Sequence, residues 1–105
     1  MIAMNEKLYQ QAMEGSKPVL LEYWAPWCVY CRRIAPALEK VAQQYENKLG
    51  IAQVNIDDEP LLANREQIEV IPTLVMYRGG QVLGSVVAPE SKAAIDAFIE
   101  DSLRK

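Results

Sequence analysis

The run Val19-Leu20-Leu21-Glu22-Tyr23-Trp24 constrains the fold more than any other stretch of the chain. It is aliphatic, β-branched and aromatic, and it has the length of a strand. A strand with one wet face alternates apolar and polar residues. A strand apolar on both faces belongs inside a sheet that is covered on both sides. Only Glu22 interrupts the run, and acids at such positions are rarely buried unless they are paired or functional.

The rest of the chain supplies the cover. Asn5 to Gly15 reads as a helix with Met4, Leu8 and Ala12 on one face and Gly15 as its stop. A turn containing Pro26 leads into a long helix from about Cys28 to Tyr45. Ile34, Leu38, Val41 and Ala42 share one side of it, and Pro36 lies within it. Ile51 to Ile56 is the next strand. Pro60 to Gln67 is a short helix behind the acids Asp57, Asp58 and Glu59. Thr73 to Tyr77 and Gln81 to Val87 are strands, and Arg78-Gly79-Gly80 is short enough to join them as an antiparallel hairpin. Pro89 is predicted to open a last helix with Ile95, Phe98, Ile99 and Leu103 facing inward. The early β-α-β units argue for parallel pairing with right-handed crossovers, and the late hairpin for antiparallel edges. Together they predict an α/β fold: a mixed central sheet with helices on both faces.

At 105 residues the chain is expected to form one domain, 1–105. Half its residues are hydrophobic, enough for a core that needs no disulfide staples. The net charge is −3 and no basic block occurs, which argues against nucleic-acid binding. No apolar run is long enough to span a bilayer, so no membrane association is expected. Met1 to Lys7 lacks the pattern of a signal peptide. A cytoplasmic monomer is the expectation.

The two cysteines, Cys28 and Cys31, stand three apart, and the chain has no histidine. They fall at the predicted strand-to-helix junction. With Cys28 at the N-cap, its sulfur can accept from the N–H groups of Tyr30 and Cys31, and the positive end of the helix dipole adds to this. Both effects favour thiolate and should lower the Cys28 pKa below the free value of about 8.5. Cys31, one turn on, is within reach to resolve a mixed disulfide. Two other readings stay open here. A structural disulfide closing so small a loop contributes only roughly 2 kcal/mol. Zinc usually takes four Cys or His ligands, so two cysteines could hold metal only by bridging two chains.

The segment Tyr23-Trp24-Ala25-Pro26-Trp27-Cys28-Val29-Tyr30-Cys31 resembles the active-site segment of the thioredoxin family. The resemblance continues through Ile34-Ala35-Pro36, Val54-Asn55-Ile56-Asp57 and Ile71-Pro72-Thr73-Leu74, and on to the Gly80 hairpin and the last helix. It implies the thioredoxin fold and a protein-disulfide oxidoreductase that serves electron transport and cell redox homeostasis. No metal or organic cofactor is implied. The partners implied are protein disulfides and a reductase or other thiol donor; a client-binding module without turnover is the alternative. Cys28 matches the family's nucleophile, Cys31 its resolving cysteine and Glu22 its buried acid. Pro72 matches a proline that is cis in the family and frees the Ile71 backbone to pair with substrate. Trp27, Ile71 and Val87 match the apolar rim that holds substrate.

The chain also departs from the family pattern. Val29-Tyr30 replaces Gly-Pro, Gln53 stands where a lysine is usual, and Ala88 replaces a glycine beside the groove. The family's first strand should be shortened or absent. These differences bear on the redox potential and the choice of partner, not on the reaction class.

Overall fold

In the computed structural model, which describes residues 1–105, nine elements follow in order. They are β1 (Ile2–Ala3), α1 (Glu6–Glu14), β2 (Val19–Trp24), α2 (Val29–Gln44), β3 (Gly50–Asn55), α3 (Pro60–Arg65), β4 (Thr73–Arg78), β5 (Gln81–Val87) and α4 (Lys92–Leu103). The five strands make one sheet in the order β1-β3-β2-β4-β5. β2 pairs parallel with β3 and antiparallel with β4, and β4 pairs antiparallel with β5. The mixed sheet and the central place of β2 match the sequence reading.

Alternation along β2 sorts the core into two layers. Leu20 joins Leu74, Met76 and the inner faces of α2 and α4, where Ile34, Leu38, Val41, Ile95 and Ile99 are buried. Leu21 and Tyr23 point the other way, onto Tyr9 of α1 and Leu62 of α3. That second layer holds a chain of phenols. The Tyr23 and Tyr77 hydroxyls lie 2.6 Å apart, and Tyr77 Oη donates to Glu66 Oε1 at 2.6 Å. Burial raises both tyrosines well above the ordinary phenol range.

Local signals explain most of the boundaries. Asn5 caps α1 by accepting from the Leu8 N–H at 2.8 Å. Gly79 and Gly80, both at positive φ, close the β4–β5 hairpin as a two-residue turn. No helix is long and apolar enough to cross a membrane.

The first strand is shortened, as expected, to the two residues Ile2 and Ala3, which pair with β3. Other details differ from the sequence reading. On α1 the buried residue is Tyr9, whose ring meets that of Tyr77 edge-on; Leu8 is only half-buried. α3 ends at Arg65, not Gln67. Gln67 sits at φ +58°, and the Ile68 N–H returns to the Ala63 carbonyl at 3.0 Å. This is the helix-ending arrangement usually signalled by glycine, and glutamine gives no such signal. Pro89 does not open α4. Ser91 is the N-cap, accepting from the Ala94 N–H at 3.1 Å, and the helix begins at Lys92.

Candidate active site

β2, the central strand, is buried from Val19 to Tyr23, ends at half-buried Trp24 and delivers the chain into Ala25-Pro26-Trp27. Ala25 is fully buried, and its carbonyl accepts from the Cys28 N–H at 3.1 Å, which tightens the turn. Cys28 then takes extended backbone angles as the N-cap of α2. Its Sγ accepts from the Cys31 N–H at 3.2 Å. The second donor expected from the sequence, the Tyr30 N–H, makes no bond to sulfur here. The two cysteines are joined as a disulfide with Cα atoms 5.3 Å apart. Cys28 is 8% exposed and Cys31 3%. Trp24, Tyr30, Ile56 and Ile71 pack around the pair.

Two further segments meet beside the cysteine end of α2. The Ile71–Pro72 peptide bond is cis. Cys28 Sγ lies 4.0 Å from the Ile71 carbonyl oxygen. The Pro72 carbonyl accepts from the Ala88 N–H at 2.9 Å, and Ala88 sits at φ +46°. That left-handed conformation costs a non-glycine residue about 1–2 kcal/mol, which accounts for glycine being usual at this place. Tyr30 Oη donates to the Pro89 carbonyl at 2.9 Å, so the turn after β5 is tied to the cysteine helix itself.

Trp27 is 63% exposed, and its indole N–H donates to Asp57 Oδ2 at 2.9 Å. Asp57 is held in turn by its own N–H, which donates to Asn55 Oδ1 at 2.9 Å. Glu22 shares the α2-facing side of β2 with Leu20 and Trp24, and is 2% exposed. Burial raises its pKa above the ordinary carboxylate range, opposed by the Gln53 Nε2–H that donates to Glu22 Oε1 at 2.9 Å. Gln53 lies directly across from Glu22 in the parallel β2–β3 register.

The structure thus brings Cys28, Cys31, Ile71 and Pro72 together, with Trp27 on the rim. It does not bring the Val87 side chain to the disulfide. Val87 pairs with Thr73 and lines an adjoining groove with Val70, Val75 and Val82. Sequence reasoning also missed the Tyr30 hydroxyl, the Pro89 carbonyl and the Asp57 carboxylate. The first two meet across 59 residues, a separation no local pattern reveals.

Such an arrangement can trade a disulfide for two thiols, with the electrons held on two adjacent sulfurs. Comparison with known proteins agrees: the family model described as Thioredoxin matches residues 1–101. The chain belongs to the thioredoxin family. It is 39% identical over 94 residues to Thioredoxin 1 of Nostoc sp., covering 90% of this chain and 88% of the relative. It is 34% identical over 103 residues to the thioredoxin of Alicyclobacillus acidocaldarius, covering 98% of each. It is also 36% identical over 97 residues to the bifunctional thioredoxin reductase/thioredoxin of Mycobacterium leprae, covering 92% of this chain and 21% of that longer protein. A thioredoxin with its cysteine pair at a helix N-terminus is a thiol–disulfide oxidoreductase, and the Cys28–Cys31 pair is its redox centre.

Proposed function

We propose that Cys28 is the attacking cysteine and Cys31 the resolving one, with Glu22 as the base that serves Cys31. The Cys28 thiolate attacks one sulfur of a protein disulfide, forms a mixed disulfide and releases the other sulfur as a thiolate, which takes up a proton. Cys31 gives its proton to Glu22, directly or through water, and attacks Cys28 Sγ; the bond from Cys28 to the substrate breaks, and the departing substrate thiolate takes up the proton that Glu22 releases. The substrate leaves as a dithiol, and the Cys28–Cys31 disulfide has received the oxidising equivalent. A thiol donor returns two electrons and two protons to start the next cycle. Trp27, Ile71 and Pro72 hold substrate, with an extended segment pairing to the Ile71 backbone; Val87 acts further along the same surface.

The observation that carries this reading is the N-cap position of Cys28, whose sulfur accepts from the Cys31 N–H while Cys31 itself is the more buried of the two. The helix start stabilises negative charge on one sulfur only. We further propose that the donor is a thioredoxin reductase. The relative whose name joins both activities in one chain supports this. The protein works as a cytoplasmic monomer that carries electrons to protein disulfides and binds neither nucleic acid nor membrane. Reduction of insulin in the presence of dithiothreitol tests the reaction. The parent protein is expected to turn over, Cys28→Ser to be inactive, and Cys31→Ser to accumulate mixed disulfides. Trapping by Cys28→Ser instead would reverse the assignment.

A further inference from the structure

Two groups of exposed apolar side chains lie on or beside the segments that form the redox site. Trp27 and Val29 flank the disulfide. Val70, Val82 and Val87, which are 54%, 49% and 51% exposed, converge on a groove of about 300 Å³ between residues 66–70 and the β4–β5 hairpin. A register shift at Met76/Tyr77 leaves Val82 opposite Tyr77 and so turns it to the same side as Val87. Thr73, nearly buried, forms part of the floor. The walls carry Glu66 and Glu69, and neither Lys nor Arg lines the groove. Glu66 is fixed there because Oε1 accepts the Tyr77 hydroxyl.

Two residues that line the groove, Val70 and Val87, are chain neighbours of residues at the redox site. Val70 adjoins Ile71, whose carbonyl oxygen lies 4.0 Å from Cys28 Sγ. Val87 adjoins Ala88, whose N–H donates to the Pro72 carbonyl. An extended chain that pairs with Ile71 therefore runs on into this groove. Every second side chain of such a strand points to one face. The groove offers that side chain valine methyl groups, and it offers the neighbouring residues a negative rim.

We propose that this groove is a substrate subsite that takes the residues flanking the reacting cysteine of a polypeptide disulfide, favouring a branched aliphatic side chain accompanied by Lys or Arg. The proposal rests on the oxidoreductase reading above and names the substrate class of that same site.

Three symmetric peptide disulfides test it, with monomers of sequence Lys-Val-Ala-Cys-Ala-Val-Lys, Glu-Val-Ala-Cys-Ala-Val-Glu and Lys-Gly-Ala-Cys-Ala-Gly-Lys. The first is expected to show kcat/KM about tenfold above the second and several-fold above the third. Glu69→Lys should abolish or invert the charge preference, and Val70→Ser should shrink the valine preference. Glu46→Lys makes the same change of net charge in the turn after α2, beside Met1 and Lys17 and outside the groove, and should leave both preferences in place. Equal rates for the three peptides with the parent protein would overturn the subsite while leaving the oxidoreductase intact. So would a loss of preference in Glu46→Lys as large as in Glu69→Lys. A parent that reduces none of the peptides would overturn both readings.

Discussion

Tyr30 Oη donates to the Pro89 carbonyl oxygen at 2.9 Å, which fastens the first turn of α2 to the loop ahead of α4. The same residue has a second role through its backbone. Its N–H is at the second position after the Cys28 cap, where no intrahelical acceptor exists, and a proline there would remove it. Once the disulfide is reduced, the Cys28 thiolate is a strong acceptor for that free donor. A charge-assisted hydrogen bond is worth about 1.5–3 kcal/mol, of which about 1–2 remains after competition with water.

Tyr30→Pro removes both the N–H and the hydroxyl, whereas Tyr30→Phe removes only the hydroxyl. The reduction potential of Tyr30→Pro should lie roughly 20–45 mV below that of Tyr30→Phe. The parent should sit near about −250 to −225 mV, above the thioredoxin value of about −270 mV. Equilibration with glutathione measures all three. Equal potentials for the two variants would remove the Tyr30 N–H from the account.

Cys28 should alkylate faster than Cys31 in the reduced protein at pH 7, by about tenfold or more. It is the cap of α2, where thiolate is favoured, and it is the more exposed of the two residues. Mass spectrometry of partly modified protein reads the ratio. A faster Cys31 would exchange the proposed roles.

Glu22 makes stability depend on pH. Its folded pKa is raised above the unfolded value by burial, so the native state binds the extra proton between those two values. Stability is therefore greatest at and below the ordinary carboxylate range, falls as pH rises toward the raised value, and is flat above it. Glu22→Gln keeps an acceptor for the Gln53 amide and carries no charge. It should match the parent at pH 4 and exceed it at pH 8 in urea unfolding. The same variant should slow disulfide exchange by about 10²-fold, the low end for loss of a general base. An unchanged exchange rate would take Glu22 out of the mechanism even if the stability effect is found.

Ala88→Gly should stabilise the fold by about 1 kcal/mol. It relieves a left-handed backbone that costs alanine about 1–2 kcal/mol, less the extra entropy glycine loses on folding. A urea midpoint at or below the parent's would show that the strain at φ +46° is absorbed elsewhere.

The parts of this structure that were legible in the sequence are the periodic ones. The apolar run at 19–24 placed β2 in the middle of the sheet, the spacing of Ile34, Leu38 and Val41 placed the inner face of α2, and the glycine pair placed the hairpin. Cys28, at a strand-to-helix junction, disclosed its own cap. The remaining features hang on contacts between distant segments or on conformations that the residue type does not announce. Gln67 and Ala88 hold positive φ without being glycine. The resemblance puts Val87 beside the substrate, but the groove it lines depends on its pairing with Thr73 and on the distant segment 66–70. Tyr30 looked like a variant inside a motif, and its hydroxyl found a partner only because the fold brings the end of β5 beside α2.

The phenol chain of Tyr23, Tyr77 and Glu66 has a consequence for how the sheet is aligned. Both hydroxyls are buried between β2, β4 and the segment after α3, where an unpaired hydroxyl costs about 1–3 kcal/mol. Sliding β4 by one residue against β2 would carry Tyr77 to the opposite face and strand both partners at once. Aliphatic neighbours such as Val75 and Leu74 distinguish the two alignments far less sharply, because one greasy contact substitutes for another. The three polar atoms therefore act as a tally mark that only the native alignment of the two strands can satisfy. An error of one residue there would also misplace the Glu66 carboxylate on the wall of the groove.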